Sequence, residues 1–243
     1  MATNLSFCWN GLVTSNPDAT LAFFPEVLGW GVQSTTMSDG SDVTMLTDGD
    51  RPIAHVRGPQ MDGEPTWWNN YLRVEDVDAA AASVAQNGGT IVVPGTDIAP
   101  GRFATVTTPS GAHFTLFREA GDEGNGGLYW VDLHSTAIAG DLAFLKAALG
   151  FTSNQMEMPA GPYHILNPGS DSPSGAMAQQ NPGAPSMWLA WVKVDDVDAT
   201  LGRVRGNGGK VLGEPWEAPG VGRMAIASDP AGLVFGVITP PAA

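Results

Sequence analysis

The chain has one cysteine, Cys8, in 243 residues, so it can form no intrachain disulfide and no cysteine-built zinc cluster. Positive charge is also scarce: 11 Lys and Arg stand against 25 Asp and Glu, a net charge of −14. That balance argues against phosphate backbones and anionic headgroups, so no nucleic acid and no membrane is expected as a partner. No apolar run approaches the roughly 20 residues needed to span a bilayer. The opening Met-Ala-Thr-Asn-Leu-Ser lacks the basic and apolar regions of a secretion signal, so a soluble, cytoplasmic protein is expected. The four histidines, His55, His113, His134 and His164, show no H-x-x-H or H-x-x-x-H spacing. No Gly-rich segment has the strand-helix context of a phosphate cradle.

What is present is a repeat. Val74 to Ala80 reads V-E-D-V-D-A-A and runs on to Asn87-Gly88-Gly89; Val194 to Thr200 reads V-D-D-V-D-A-T and runs on to Asn207-Gly208-Gly209. Each copy predicts a strand ending in Val, an Asp N-cap (Asp76, Asp196), a short helix and a Gly stop. The offset is 120 residues, close to half the chain, and other matches lie at 121: Leu28-Gly29-Trp30 with Leu149-Gly150-Phe151, Gly101–Ala104 with Gly222–Ala225, Pro109-Ser110-Gly111 with Pro230-Ala231-Gly232. With 31 Gly and 19 Pro but no low-complexity run, these residues punctuate many short strands.

In the first half the pattern predicts a strand over Leu5–Val13. A helix follows from Asn16-Pro17-Asp18 to Gly29, with Leu21, Phe24, Val27 and Leu28 as its apolar stripe. Strands are expected near 30–37, 43–46, 52–56 and 67–74, then a helix over 77–86 and strands at 90–93, 103–107 and 113–117. The order is β-α-β-β-β twice. Residues 119–127 are polar and Gly-rich and read as a linker, giving domains at 1–118 and 128–240.

These motifs resemble the vicinal oxygen chelate superfamily, which includes glyoxalase I, bleomycin-resistance proteins, extradiol dioxygenases and methylmalonyl-CoA epimerase. The resemblance rests on V-D-D-V-D-A with N-G-G beyond it, on G-R-x-A at Gly222–Ala225, and on D-P-A-G at Asp229–Gly232, and it covers the whole chain as two tandem domains. It implies an α+β fold in which each domain pairs two β-α-β-β-β modules into a curled, mixed sheet forming a cup. It also implies where metal-dependent members place their His, Gln and Glu ligands. On the first strand those positions are Trp9 and Trp130; on the fifth, Asn69 and Leu189; on the closing strand, Thr115 and Gly236. The remaining position falls near Ala54–Val56 and Gly175–Ala178. Tryptophan, leucine and glycine offer no donor to a divalent cation, so no metal and no other cofactor is expected.

Strand alternation places Trp9, Trp67, Asn69, Tyr71, His113 and Thr115 in the first cup, and Trp130, Asp132, His134, Leu189, Trp191 and Lys193 in the second. Large flat side chains with a few polar groups suit a small aromatic or hydrophobic molecule. The alternative is that the tryptophans fill cups with no occupant or pack the domains together. Asp132 and His134 lie two apart on one strand, roughly 7 Å, and could act on a ligand as acid and base. Their alternative is a solvated strand end, or a histidine hydrogen-bonded across the domain interface. Arg102 and Arg223 recur at equivalent places and are expected to do structural work. Two functions stay open: metal-independent binding of the bleomycin-resistance kind, possible in natural-product metabolism or resistance, and a metal-free isomerase, lyase, cyclase or hydroxylase-type tailoring enzyme. Homodimerisation stays open too.

Overall fold

A computed structural model describes residues 5–37, 40–119, 128–170 and 173–241. The first half runs β1 (Phe7–Val13), α1 (Pro17–Leu28), β2 (Gly31–Thr36), β3 (Asp42–Asp48), β4 (Arg51–Arg57), β5 (Trp67–Arg73), α2 (Val77–Gln86), β6 (Thr90–Ile98), β7 (Gly101–Thr107) and β8 (His113–Glu119). The second half repeats it with β9 (Trp130–Ser135), α3 (Ile138–Leu149), β10 (Ser153–Met158), β11 (Gly161–Leu166), β12 (Ser174–Ala178), β13 (Met187–Lys193), α4 (Val197–Gly206), β14 (Lys210–Val211), β15 (Trp216–Ala218), β16 (Gly222–Ser228) and β17 (Val234–Thr239). The fold is α+β, with the β-α-β-β-β module present in tandem as the repeat implies. The linker expected at 119–127 falls, beyond Glu119, outside the described residues.

Each half contributes one mixed sheet. The orders are β2-β3-β4-β1-β5-β8-β7-β6 and β10-β11-β12-β9-β13-β17-β16-β14, with β15 beside β16, and both paths have two ends, so neither sheet closes. In every module the first and last strands run parallel, as Gly11 opposite His55 and Asp132 opposite Gly175 show. Expected strand positions hold, with ends displaced by a few residues. The largest difference is β6, which continues through Pro94 to Ile98 because it lies at a sheet edge and its pairing with β7 is bulged.

The repeated motif does the work its residues suggest. Asp76 accepts from Ala79 N and Asp196 from Ala199 N, each at 3.0 Å, and Asn16 caps α1 in the same way. Gly88 and Gly208 take positive φ (+95° and +79°). The glycine after each is required by space: a Cβ on Gly89 would stand 3.0 Å from Phe144, and one on Gly209 2.8 Å from Phe23. Asp78 pairs with Arg102 and Asp198 with Arg223, so the two recurrent arginines tie the motif to the loops beside β7 and β16, Arg102 also reaching Gly95 O.

Packing groups the modules differently from the halves. One compact unit takes α2 with β5–β8 of the first half and α3 with β9–β12 of the second; the other takes α1 with β2–β4 and α4 with β14–β17. Its core joins Leu12, Phe24, Val27 and Leu46 to Val197, Leu201, Phe235 and Val237. Phe23, outside the expected stripe of α1, is buried against Phe235, with ring centroids 6.1 Å apart. Leu21 and Leu28 are only half-buried, because the stripe turns toward α4.

Candidate functional site

The first unit gathers Trp130, Asp132 and His134, three of the residues expected in the second cup. Trp130 and Asp132 point to the same side of β9, and Trp130 Nε1 donates to Asp132 Oδ1 at 2.6 Å. Tyr163, on β11, reaches across β12: its hydroxyl donates to the same carboxylate oxygen at 2.5 Å and accepts from Trp130 Nε1 at 2.8 Å. Gly175 makes this crossing possible, since a Cβ there would stand 1.9 Å from the Tyr163 hydroxyl and 2.0 Å from Asp132 Oδ1. Burial, with the Asp132 charge behind it, pushes the Tyr163 phenol above its ordinary range, so it stays protonated and donates. Tyr163 belongs to this cluster, and strand alternation did not identify it. The one signal for it was a glycine inside a strand.

His134 follows two residues later and is 7 % exposed, and Asp132 is 3 % exposed. Neither is a solvated strand end. Among the described residues His134 Nε2 is buried with no hydrogen-bond partner, so it is not spent on an interface either. Burial lowers the His134 pKa, against a smaller opposing pull from Asp132. The imidazole is therefore neutral at neutral pH, with a ring nitrogen to offer.

The other expected residues fall into separate sets. Trp9 packs on the buried cluster of Cys8, Tyr71 and Phe117, whose Tyr71 and Phe117 rings meet edge to face at 5.5 Å. Thr115 is fully buried and bonded to Thr105 at 3.0 Å, and Asn69 is buried with its Oδ1 unpartnered among the described residues. His113 opens β8 opposite Thr107. Trp67 opens β5 half-buried, and Glu64 nearby grips Arg57 at 2.6 Å. In the second unit Trp191 is buried, faces Trp216 edge to face at 6.1 Å, and lies on Gly236, while Lys193 ends β13 exposed.

The family's metal positions can now be tested for fit. Gly236 is covered by the Trp191 indole, Trp130 is bonded to its own carboxylate neighbour, and Thr115 is spent on Thr105. His55, the imidazole nearest the fourth-strand position, packs on Gly11, and burial with Arg57 nearby lowers its pKa to about 4. Among the described residues no three His, Cys, Asp or Glu side chains are grouped to hold a cation. The donor set does not fit a divalent metal.

The profile of the Glyoxalase/Bleomycin resistance protein/Dioxygenase superfamily matches the sequence twice, over residues 7–116 and 138–237. Protein CFP32 of Mycobacterium tuberculosis, which carries a provisional glyoxylase name, is 34 % identical over 96 % of this chain and 94 % of its own. The anthracycline biosynthesis protein DnrV of Streptomyces peucetius is 32 % identical over 44 % of this chain and 45 % of its own. Among solved structures, the 2,3-dioxygenase LapB of Pseudomonas sp. KL28 superposes with a TM-score of 0.64, covering 97 % of this chain and 92 % of that one at 15 % identity, which speaks to the fold alone. With both halves matched and a relative similar along its length, the chain belongs to the Glyoxalase/Bleomycin resistance protein/Dioxygenase superfamily as a tandem member.

Proposed function

We propose that the chain binds a planar aromatic or hydrophobic small molecule without a metal ion, on the face of β9 that carries Trp130, Asp132 and His134. The observation that carries this is His134 Nε2, buried and without a partner among the described residues, beside a carboxylate oriented by Trp130 and Tyr163. An unsatisfied buried polar atom costs about 1–3 kcal/mol, which a ligand group bonded to it would remove. The half-buried indole of Trp130 adds a flat apolar surface. A neutral imidazole suits an uncharged hydroxyl or carbonyl on that ligand. The relative named for anthracycline biosynthesis supports a polycyclic ligand, and the poor donor set supports independence from metal. Titration of chelator-treated protein with planar polycyclic compounds, followed by tryptophan fluorescence, tests it. Binding that Trp130→Ala and His134→Ala both weaken agrees; binding indifferent to both refutes it.

The neighbouring Asp132 favours a second reading, a metal-free enzyme in which His134 takes a proton from the ligand and Asp132 stabilises the imidazolium that forms. Under it, His134→Gln keeps binding and abolishes turnover.

A further inference from the structure

On α1, Thr20 donates its hydroxyl hydrogen to Asp229 at 2.5 Å, and Asp229 sits in the turn before β17. In the other unit the residues at the same repeat positions, 121 further on or back, are Asp141 on α3 and Thr108 in the turn before β8. Thr108 donates to Asp141 at 3.2 Å. Acid and hydroxyl have changed places: the helix carries the hydroxyl in one unit and the carboxylate in the other. All four side chains are at most 1 % exposed. Both turn residues also do the same local job, Thr108 accepting from Ala112 N and Asp229 from Leu233 N.

Other contacts between paired modules are alike in the two units. Phe23 lies on Gly209 as Phe144 lies on Gly89. Arg203 donates to the carbonyl of Val27 as Ser83 donates to that of Ala148. Rings, glycines and backbone carbonyls are available at these positions in either half. The acid–hydroxyl pair is different in kind, because its two members are exchanged; around it Asp141 also accepts from Ser110 N and from the hydroxyls of Ser110 and Ser135, where the other unit has Ala231 and Thr14.

We propose that this exchanged pair determines which module each module accepts, so that the docking face of α1 fits a module of the second half and rejects another of the first. Pairing two first-half modules would set Thr20 against Thr108, two hydroxyls without an acid. Pairing two second-half modules would set Asp141 against Asp229, two buried carboxylates that cannot both stay ionised. Attraction in the right pair and repulsion in a wrong one together give specificity.

The full-length chain tests this through one substitution in three backgrounds, read as the thermal midpoint at neutral pH. Thr20→Asp in the wild type opposes two carboxylates and lowers the midpoint by several degrees. In an Asp141→Thr background the same change satisfies the other pairing, with an acid at position 20 for Thr108 and a hydroxyl at position 141 for Asp229, so it lowers the midpoint less than in the wild type. In an Asp229→Thr background Thr20→Asp raises the midpoint, because it rebuilds the arrangement of Asp141 with Thr108. Should Thr20→Asp alone fail to fold, the comparison of Asp229→Thr with the Thr20→Asp/Asp229→Thr double variant still decides. A double variant no more stable than Asp229→Thr alone overturns the proposal.

Discussion

Trp191 lies flat over Gly236, its partner across the β13–β17 pair: a Cβ on Gly236 would stand 2.2 Å from Cε3 of the indole. The closing-strand position that the family resemblance marks for a metal-binding carboxylate is thus covered by an aromatic ring. Gly236→Ala forces the ring aside and should destabilise by about 1–3 kcal/mol. Trp191→Ala leaves a hole and should cost about 3–5 kcal/mol. In the Trp191→Ala background, Gly236→Ala should cost nearly nothing. Denaturant unfolding of the four proteins measures this coupling.

Gly175 separates a packing role from a polar one at the β9 face. Gly175→Ala drives a methyl group between Tyr163 and Asp132 and should break their contact. Tyr163→Phe keeps the ring and removes only the donor, leaving Trp130 to hold Asp132, at a cost of about 1–3 kcal/mol. Denaturant unfolding should rank Gly175→Ala as the more damaging.

His55 makes stability depend on mild acid. Its folded pKa is about 4 against an ordinary 6.5, from burial first and Arg57 second. Between those values the unfolded chain binds the extra proton, so stability is full above about pH 6.5 and is lost as pH falls toward 4. The full effect is on the order of 3 kcal/mol. His134, lowered by burial, moves the same way, whereas burial raises the Asp229 pKa and its ionisation costs stability as pH rises. His55→Gln should flatten the profile between pH 5 and 6.5 relative to wild type, measured by urea unfolding.

The halves 1–118 and 128–240 should not behave as independent domains. The core around Phe24 and Phe235 takes residues from both, and α2 of one half packs on α3 of the other. Each half expressed alone should expose that apolar surface, bind a hydrophobic dye and self-associate, while the two mixed should form a one-to-one complex. Sedimentation of each half and of the mixture measures this. Two monodisperse, dye-free monomers would contradict it.

Much of the fold was legible because the repeat repeats its physics. The Asp caps, the Asn-Gly-Gly stops and the spacing of the strands are local instructions, and α2 spans the expected 77–86. The first glycine of each stop was explained by its turn; the second is forced first by the carbonyls of Thr107 and Ser228, 2.5 Å from where a Cβ would stand, which only packing against the sheet brings there. That Trp130, Asp132 and His134 share one face of β9 was legible because strand alternation is strict. Tyr163 was not, because it reaches them from β11 across an intervening strand. The Thr20–Asp229 exchange was hidden by the repeat itself: equivalent positions suggest equal jobs, and here they hold opposite halves of one hydrogen bond.

Ligand titration of chelator-treated protein probes the β9 face. Wild type, Trp9→Ala, Trp130→Ala and His134→Ala are titrated with planar polycyclic compounds while tryptophan fluorescence is followed. Quenching should occur without added metal and should be unchanged by Trp9→Ala. Loss of the Trp130 platform removes roughly 0.5–1.5 kcal/mol of stacking and should weaken binding several-fold. Loss of the His134 partner should weaken it about tenfold. Binding that requires an added divalent cation, or that survives both Trp130→Ala and His134→Ala unchanged, would contradict the account.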